Sequence, residues 1–404
     1  MALRHLALEQ IDEAELQRLV EGRAPETQEI EYKRQLYGNS DRDCGEYLAD
    51  ISSFANTVGG DIVIGMAAEA GVPTEFEPIQ IDPDPEILRL ENIARSGLQP
   101  RIFGLAIRAV RINGGGVILI MRIPRSYNQP HRIIRQGPGH HRFYARSSAG
   151  KYEPSVDELR VLFNRAPELA SRLRDFRFDR IAKIAANEIP VRLASPHALI
   201  LHVIPLSAFN SRRQLPLGPR DNLYIAFPPI GSLYASDFRI NVDGLLTVSG
   251  APGPEKPWRG YLQLFHSGIV ETVNSSMLRG AGTPESPFLL TALWTEAAIV
   301  KYSHIYLSSL GSIGFAPPFV VLVSLIGVKS VLYSFATSGL FEDEAGVLDR
   351  DQIHFSEIVI DEVPDDRYEF AKQLRPLLNE TANAAGRSAT PSFDQSGKFT
   401  FKVD

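Results

Sequence analysis

The 404-residue chain has a single cysteine, Cys44. That excludes an internal disulfide framework and a cysteine-based zinc site, and it fits a reducing compartment. Long apolar runs are missing too. The longest, "PPFVVLVSLIGV" at 317–328, falls well short of the roughly 20 residues of a membrane helix and reads as a buried strand. The first residues, MALRHLALEQIDEAE, meet acidic side chains too early for a secretory signal. A cytoplasmic protein without a membrane partner is expected. No GxxxxGK[ST] phosphate loop and no Gly-x-Ser-x-Gly nucleophile elbow occurs, so the sequence gives no support for ATP binding or for a serine hydrolase.

The most informative absence is local. From Asn92 to Tyr152 there is no Asp or Glu, while ten arginines and Lys151 fall in that window. The window carries +11 and leaves −17 on the remainder, against a net charge of −6. A solvated surface normally mixes both signs, and the planar guanidinium fork suits phosphate, so the window reads as a phosphate-facing surface. Its candidate contacts are Arg122, Arg125, Arg132, Arg135, Arg142 and Arg146, with His140 and His141. Phe143 and Tyr144 lie among them, as in surfaces that stack on unpaired bases. The two histidines suit phosphate better than a metal, because neighbours on a strand point to opposite faces.

At this length two domains are expected. The first, 1–165, reads as α+β. A short helix at 12–21 precedes an extended stretch at 28–34. Leu48, Ile51, Phe54 and Ala55 then recur at helical spacing behind Ser40 or Asp41, and Gly59-Gly60 ends that helix before the strand "DIVIGM". A helix at 84–96 follows. Two strands flank the turn Asn113-Gly114-Gly115, "HHRFYARSS" reads as another strand, and helices are expected at 155–163 and 167–187. The second domain, 166–380, is also expected to be mixed α+β. Its strand-like stretches are "HALILHVIPL", "NLYIAF", "RGYLQLFHSGIVETV", "PFVVLVSLIGV" and "VLYSF", with a buried helix near 289–310 and another at 365–379. Residues 381–404, small and polar, read as a flexible tail. Self-association is expected through the second domain.

"APETQEIEYKRQ" at 24–35 crowds Glu26, Glu29 and Glu31 beside Lys33. On a straight strand Glu26 and Glu31 face opposite ways and converge only if the chain bends, for which Pro25 is the place; Glu29 and Lys33 share the face of Glu31. A solvated edge strand with surface ion pairs and half of a metal or phosphate site both remain open on this pattern.

Four ordered blocks, "ETQEIEYK", "ISSFANTVGGDIVIGM", "ILIMRIPRS" with "QPHR", and "FYARSSAGKYEPSVDEL", resemble the Schlafen AlbA-like domain family over residues 24–165. The resemblance implies a curved α+β module that binds nucleic acid, RNA ahead of DNA. In the Schlafen branch it implies a metal-assisted endoribonuclease acting on structured RNA such as tRNA. It places the family's first two carboxylates on Glu26 and Glu31, as ligands for Mg²⁺ or Mn²⁺, with Lys33 assisting. The third position reads Ala67-Ala68 where relatives show Asp-Asp, and Glu69 is the nearest substitute. Two alternatives stand beside this: a non-catalytic DNA- or RNA-binding regulator with a degenerate acidic site, and a defence-associated assembly protein whose basic face binds an acidic partner. The second half resembles nothing with an assigned role.

Overall fold

The structure, a computed structural model, describes residues 3, 6, 8–209, 215, 223–250, 256–280, 282–284, 286–335 and 345–403, with backbone only at 166. It divides into two compact α+β units, Met1–Arg172 and Leu173–Asp404. No helix among the described residues is long and apolar enough to cross a membrane.

The first unit begins with α1 (Glu13–Glu21), capped by the Asp12 side chain. It continues through β1 (Ile30–Lys33), α2 (Asp41–Ala55), β2 (Gly60–Ile64), the small ladder β3 (Met66–Glu69) and β4 (Val72–Phe76), and α3 (Pro83–Gly97). Then come β5 (Leu98–Gln99), β6 (Ala106–Arg111), β7 (Val117–Ile123), β8 (Arg132–Ile133), β9 (Ala145–Ser147), β10 (Gly150–Tyr152) and α4 (Val156–Ala185). The main sheet has the order β1-β2-β7-β6, with β1 parallel to β2 and the other pairs antiparallel.

Both faces of this sheet are covered. Ile62, Ile64, Leu119 and Met121 pack against Tyr47, Leu48, Ile51 and Phe54 of α2. Ile30, Tyr32, Val63, Ile118 and Ile120 pack with Leu16 and Leu19 of α1 on the other side. The turn from α2 into β2 requires its glycines. A Cβ on Gly59, at φ +74°, would sit 2.5 Å from Arg125 N, and one on Gly60 would sit 2.5 Å from the Phe54 ring.

Three expectations change in this unit. "HHRFYARSS" is a strand only at Ala145–Ser147; His140 and His141 lie in a turn, His141 at φ +64°, with their rings stacked 3.6 Å apart. The helices expected at 155–163 and 167–187 are one helix, α4, with Pro167 inside it. Proline costs a helix one hydrogen bond, yet the apolar stripe runs on past it, with Leu162 and Leu169 both buried. The division between the units falls within α4.

The second unit holds β11 (Ala198–Pro205), a single turn α5 (Leu223–Ala226), β12 (Asp237–Asn241), β13 (Gly244–Ser249), β14 (Gly260–Phe265), β15 (Val270–Asn274) and β16 (Leu289–Thr291). After these come α6 (Ala292–Ser312), β17 (Phe319–Ile326), β18 (Leu332–Ser334), β19 (Ala345–Val347), β20 (Gln352–His354), β21 (Ile358–Ile360) and α7 (Arg367–Ala384). Its antiparallel sheet runs β12-β13-β14-β15-β11-β17-β20, with β21 also on β17. "NLYIAF" is therefore not a strand: 223–226 is helical, and Asn222 lies outside the described residues. The expected flexible tail is corrected as well. Phe393, Phe399, Phe401 and Val403 are buried in the core with Phe370 and Leu374 of α7; Asp404 lies outside the described residues.

Candidate functional site

Pairing of β1 with β2 sets the site. Glu31 is opposite Ile62 and Lys33 opposite Ile64, so both face α2, while Tyr32 opposite Val63 faces α1. α2 brings Asp50 to meet them, one turn before Phe54. Lys33 Nζ lies 3.0 Å from Glu31 Oε1 and 2.9 Å from Asp50 Oδ2. Lys151 Nζ, from β10, lies 2.6 Å from both Asp50 Oδ1 and Glu46 Oε1. The Tyr37 hydroxyl donates to Asp50 Oδ2 at 2.7 Å. Arg146 of β9, its side chain 4% exposed, donates to Glu31 Oε2 at 2.5 Å and lies over the Phe54 ring at 4.2 Å.

Asp50 is the centre of this network and is 1% exposed. Burial alone would raise its carboxyl, but Lys33 and Lys151 outweigh that and hold it below the usual range. Burial would likewise lower Lys33, and Asp50 with Glu31 reverses it, so the ammonium stays charged well into the alkaline range. Asn56 and Thr57 keep the far strands in place. Asn56 Nδ2 donates to Tyr144 O (2.8 Å) and His131 O (3.3 Å), its Oδ1 accepts from His131 N (2.8 Å), and Thr57 Oγ1 accepts from Arg146 N (2.9 Å).

Glu26 is not in the network. Its Oε1 accepts from Tyr32 N at 2.9 Å, and its backbone N–H donates to Gly71 O at the β3–β4 turn. Glu69 is exposed near that turn. The structure therefore unites Lys33 and Glu31 with Asp50, and leaves Glu26 and Glu69 elsewhere. No group of three or more Asp, Glu, His or Cys among the described residues could hold a metal. The donor set agrees: both oxygens of Glu31 and both of Asp50 already face cationic or hydroxyl donors. A divalent ion here would have to displace a charged lysine, so the residues present do not fit Mg²⁺ or Mn²⁺. Asp50 itself could be noticed in the sequence only as a lone carboxylate on the apolar side of α2, without a visible partner.

Much of the basic window is also committed internally. Arg122 makes a two-pronged pair with Asp61 (2.8 and 3.0 Å) and donates to Leu6 O and Leu3 O. It follows from the register, which sets Asp61 opposite Arg122. Arg135 pairs with Asp41 at 3.1 Å, and Arg142 pairs with Glu153. Arg95, Arg101, Arg108, Arg111, Arg125 and Arg132 pair with no carboxylate among the described residues, though Arg108 donates to Leu8 O, and Arg165 of α4, beyond the window, has no such pair either. Arg132 Nη2 donates to Gln99 Oε1 at 3.2 Å across the β5–β8 ladder. With the Gln129 amide oriented to donate to Asn56 O, its oxygen accepts from Arg165 Nη1 at 2.8 Å. Burial, then the charge of Arg125, lowers Arg165. His131 sits beneath, fully buried, with Nδ1 2.6 Å from Pro100 O and Nε2 without a partner. Burial lowers it to about 4, so it is neutral at physiological pH. Phe143, bridged to Arg132 through the backbone, meets Phe163 edge-on at 5.8 Å, and Phe163 is 55% exposed.

Residues 26–155, within the first unit, match the family model described as Schlafen, AlbA_2. None of the curated proteins matches the chain. Among solved structures it is similar to the DIP2311 protein of Corynebacterium diphtheriae, at 14% identity and TM-score 0.28, over 38% of this chain. The chain spans 28% of the length of that protein. It is also similar to the N-terminal domain of a protein related to the ATP-dependent DNA helicase RecG from Nitrosomonas europaea, at 21% identity and TM-score 0.23, over 28% of this chain and 75% of that one.

Proposed function

We propose that the first unit is a nucleic-acid-binding module whose contact surface is the arginine margin of Arg101, Arg125, Arg132 and Arg165. The observation that carries this reading is selective pairing: Arg122, Arg135, Arg142 and Arg146 are each spent on a carboxylate, and these four, among the described residues, are not. Phosphate oxygens are the charge-complementary group that planar guanidiniums hold best. The exposed Phe163, next to Phe143, adds an aromatic face on which an unpaired base would stack, which favours RNA with single-stranded loops over duplex DNA. In this reading Glu31, Lys33, Asp50, Lys151 and Arg146 are a structural ion-pair network that fixes the margin's floor, and no metal-assisted cleavage is assigned to it.

The test is fluorescence anisotropy of the intact chain with a tRNA and with a duplex DNA over a salt series. Affinity for tRNA is expected to fall log-linearly with salt, with a slope of about −3 for four phosphate contacts. Replacing Arg125, Arg132 and Arg165 together with Ala should flatten that slope, and Phe163→Ala should weaken tRNA more than duplex. Binding that is indifferent to the three arginines would place the surface elsewhere. In parallel, tRNA incubated with the protein and Mn²⁺ should stay intact on a gel. Cutting that disappears in Glu31→Gln would overturn the structural reading of the network and establish the endoribonuclease.

A further inference from the structure

The second unit contains a cavity of about 270 Å³ at the N-terminal end of α6. Arg259, Arg279, Asn274, Ser276, Thr291 and Trp294 line it, and no carboxylate does among the described residues. α6 has 21 residues and no acidic side chain in its first turn, so the helix end presents backbone N–H groups and partial positive charge with nothing to offset them. Thr291 occupies the N-cap position, yet its side chain makes no capping hydrogen bond. It is only 7% exposed and lines the cavity. An N-cap hydroxyl normally accepts from the N–H groups of the first turn; here that role is left open at a cavity wall.

The remaining polar groups sort clearly. Asn274 is committed to the wall: its Nδ2 donates to Ile230 O, and its Oδ1 accepts from Ser276 N and Oγ. The groups left at the cavity as donors are the Thr291 hydroxyl, the first turn of α6 and Arg259. That is an anion's environment. The volume lies just under the roughly 300–1,000 Å³ of drug-sized ligand sites, and Trp294 supplies one flat apolar wall.

We propose that this cavity binds a small phosphate-bearing anion, no larger than a mononucleotide. The phosphate would sit at the α6 N-terminus between Arg259 and Thr291. The site is separate from the arginine margin of the first unit and does not depend on the reading given to it.

Calorimetric titration of the intact chain with inorganic phosphate, and separately with AMP, tests this at constant ionic strength. Saturable binding of at least one probe is expected, weakened roughly tenfold by Arg259→Gln and several-fold by Thr291→Val. Arg259 is exposed, so its replacement leaves the core intact, which circular dichroism would verify. In a Trp258→Phe background the same titration should change the emission of Trp294, the one indole left. Equal affinity for both probes identifies a bare phosphate site, and preference for AMP identifies a nucleotide site. No saturable binding of either probe up to about 10 mM, or binding that both variants leave unchanged, would overturn the proposal.

Discussion

Asp50 decides more of the first unit than any residue in its acidic stretch. It is a buried carboxylate held by two ammoniums and a phenol, and removing one partner of such a group costs more than the pair is worth, because the others remain buried without compensation. Asp50→Ala is expected to lower stability by about 3 kcal/mol, read as a fall in the urea midpoint of the first unit. The pH dependence has a definite sign. A carboxyl held below its unfolded value stabilises above that value, near 3.9, and the contribution is lost as pH falls through the folded pKa. The wild type should therefore weaken more steeply than Asp50→Ala below about pH 4. Parallel acid profiles for the two proteins would sink this account. The same residue shows what the sequence hides. Parity along "EIEYK" correctly set Lys33 on the face of Glu31, but nothing local indicated that α2 would deliver Asp50, because the contact spans the β1–α2 connection. The basic window hides its partners for the same reason. Its absent carboxylates come from outside it, as Asp61, Glu31, Asp50, Asp41 and Glu153.

Elements with strong local punctuation were legible: α2, which stops at Ala55 just ahead of Gly59-Gly60, the β6–β7 hairpin around Asn113-Gly114-Gly115, and the buried α6. The C-terminal segment was not. Its Ser, Thr, Gly and Asn content suggests disorder, but Phe393, Phe399 and Phe401 are spaced to fold back on α7, and an isolated bridge joins Phe393 to Phe399. Two of its polar residues are buried partners of a carboxylate: Thr390 Oγ1 donates to Glu296 Oε2 at 2.7 Å, and Ser392 Oγ donates to the same oxygen. Each fully buried aromatic contributes roughly 1.5–3 kcal/mol, so the segment's apolar burial is comparable with the whole stability of a typical domain. A chain ended after Ser388 should lose cooperative unfolding of the second unit, with its soluble yield falling sharply. In the intact protein, limited proteolysis should spare 389–403. Rapid trimming of those residues without loss of solubility would show that they do not belong to the core.

At the scale of the whole chain, two buried glutamates in the second unit pull its stability in opposite directions with pH. Glu271 is fully buried and accepts from the Tyr261 hydroxyl; burial would raise it, but the two-pronged Arg180 pair (2.8 Å each) and His202 bring it down to about 2. Glu296, held by the hydroxyls of Thr381, Thr390 and Ser392 and, among the described residues, by no cation, is raised by burial to about 7. A raised carboxyl stabilises fully below its unfolded value, near 4.3, and that contribution is lost as pH climbs through 7; Glu271 does the reverse, losing its contribution as pH falls from 4.3 towards 2. Of these two groups only Glu296 changes between pH 5 and 8, so the second unit should lose about 2.5 kcal/mol over that interval on its account. Glu296→Gln separates this from the general charge of the chain. The amide resembles the protonated acid and does not titrate, so the variant should be more stable than wild type at pH 8 and close to it at pH 5. Urea unfolding at the two pH values measures the difference directly. Equal midpoints for the two proteins at pH 8 would mean that the three hydroxyls carry the ionised carboxylate without penalty, and that the segment bearing Thr390 and Ser392 is there to hold a charge and not a proton.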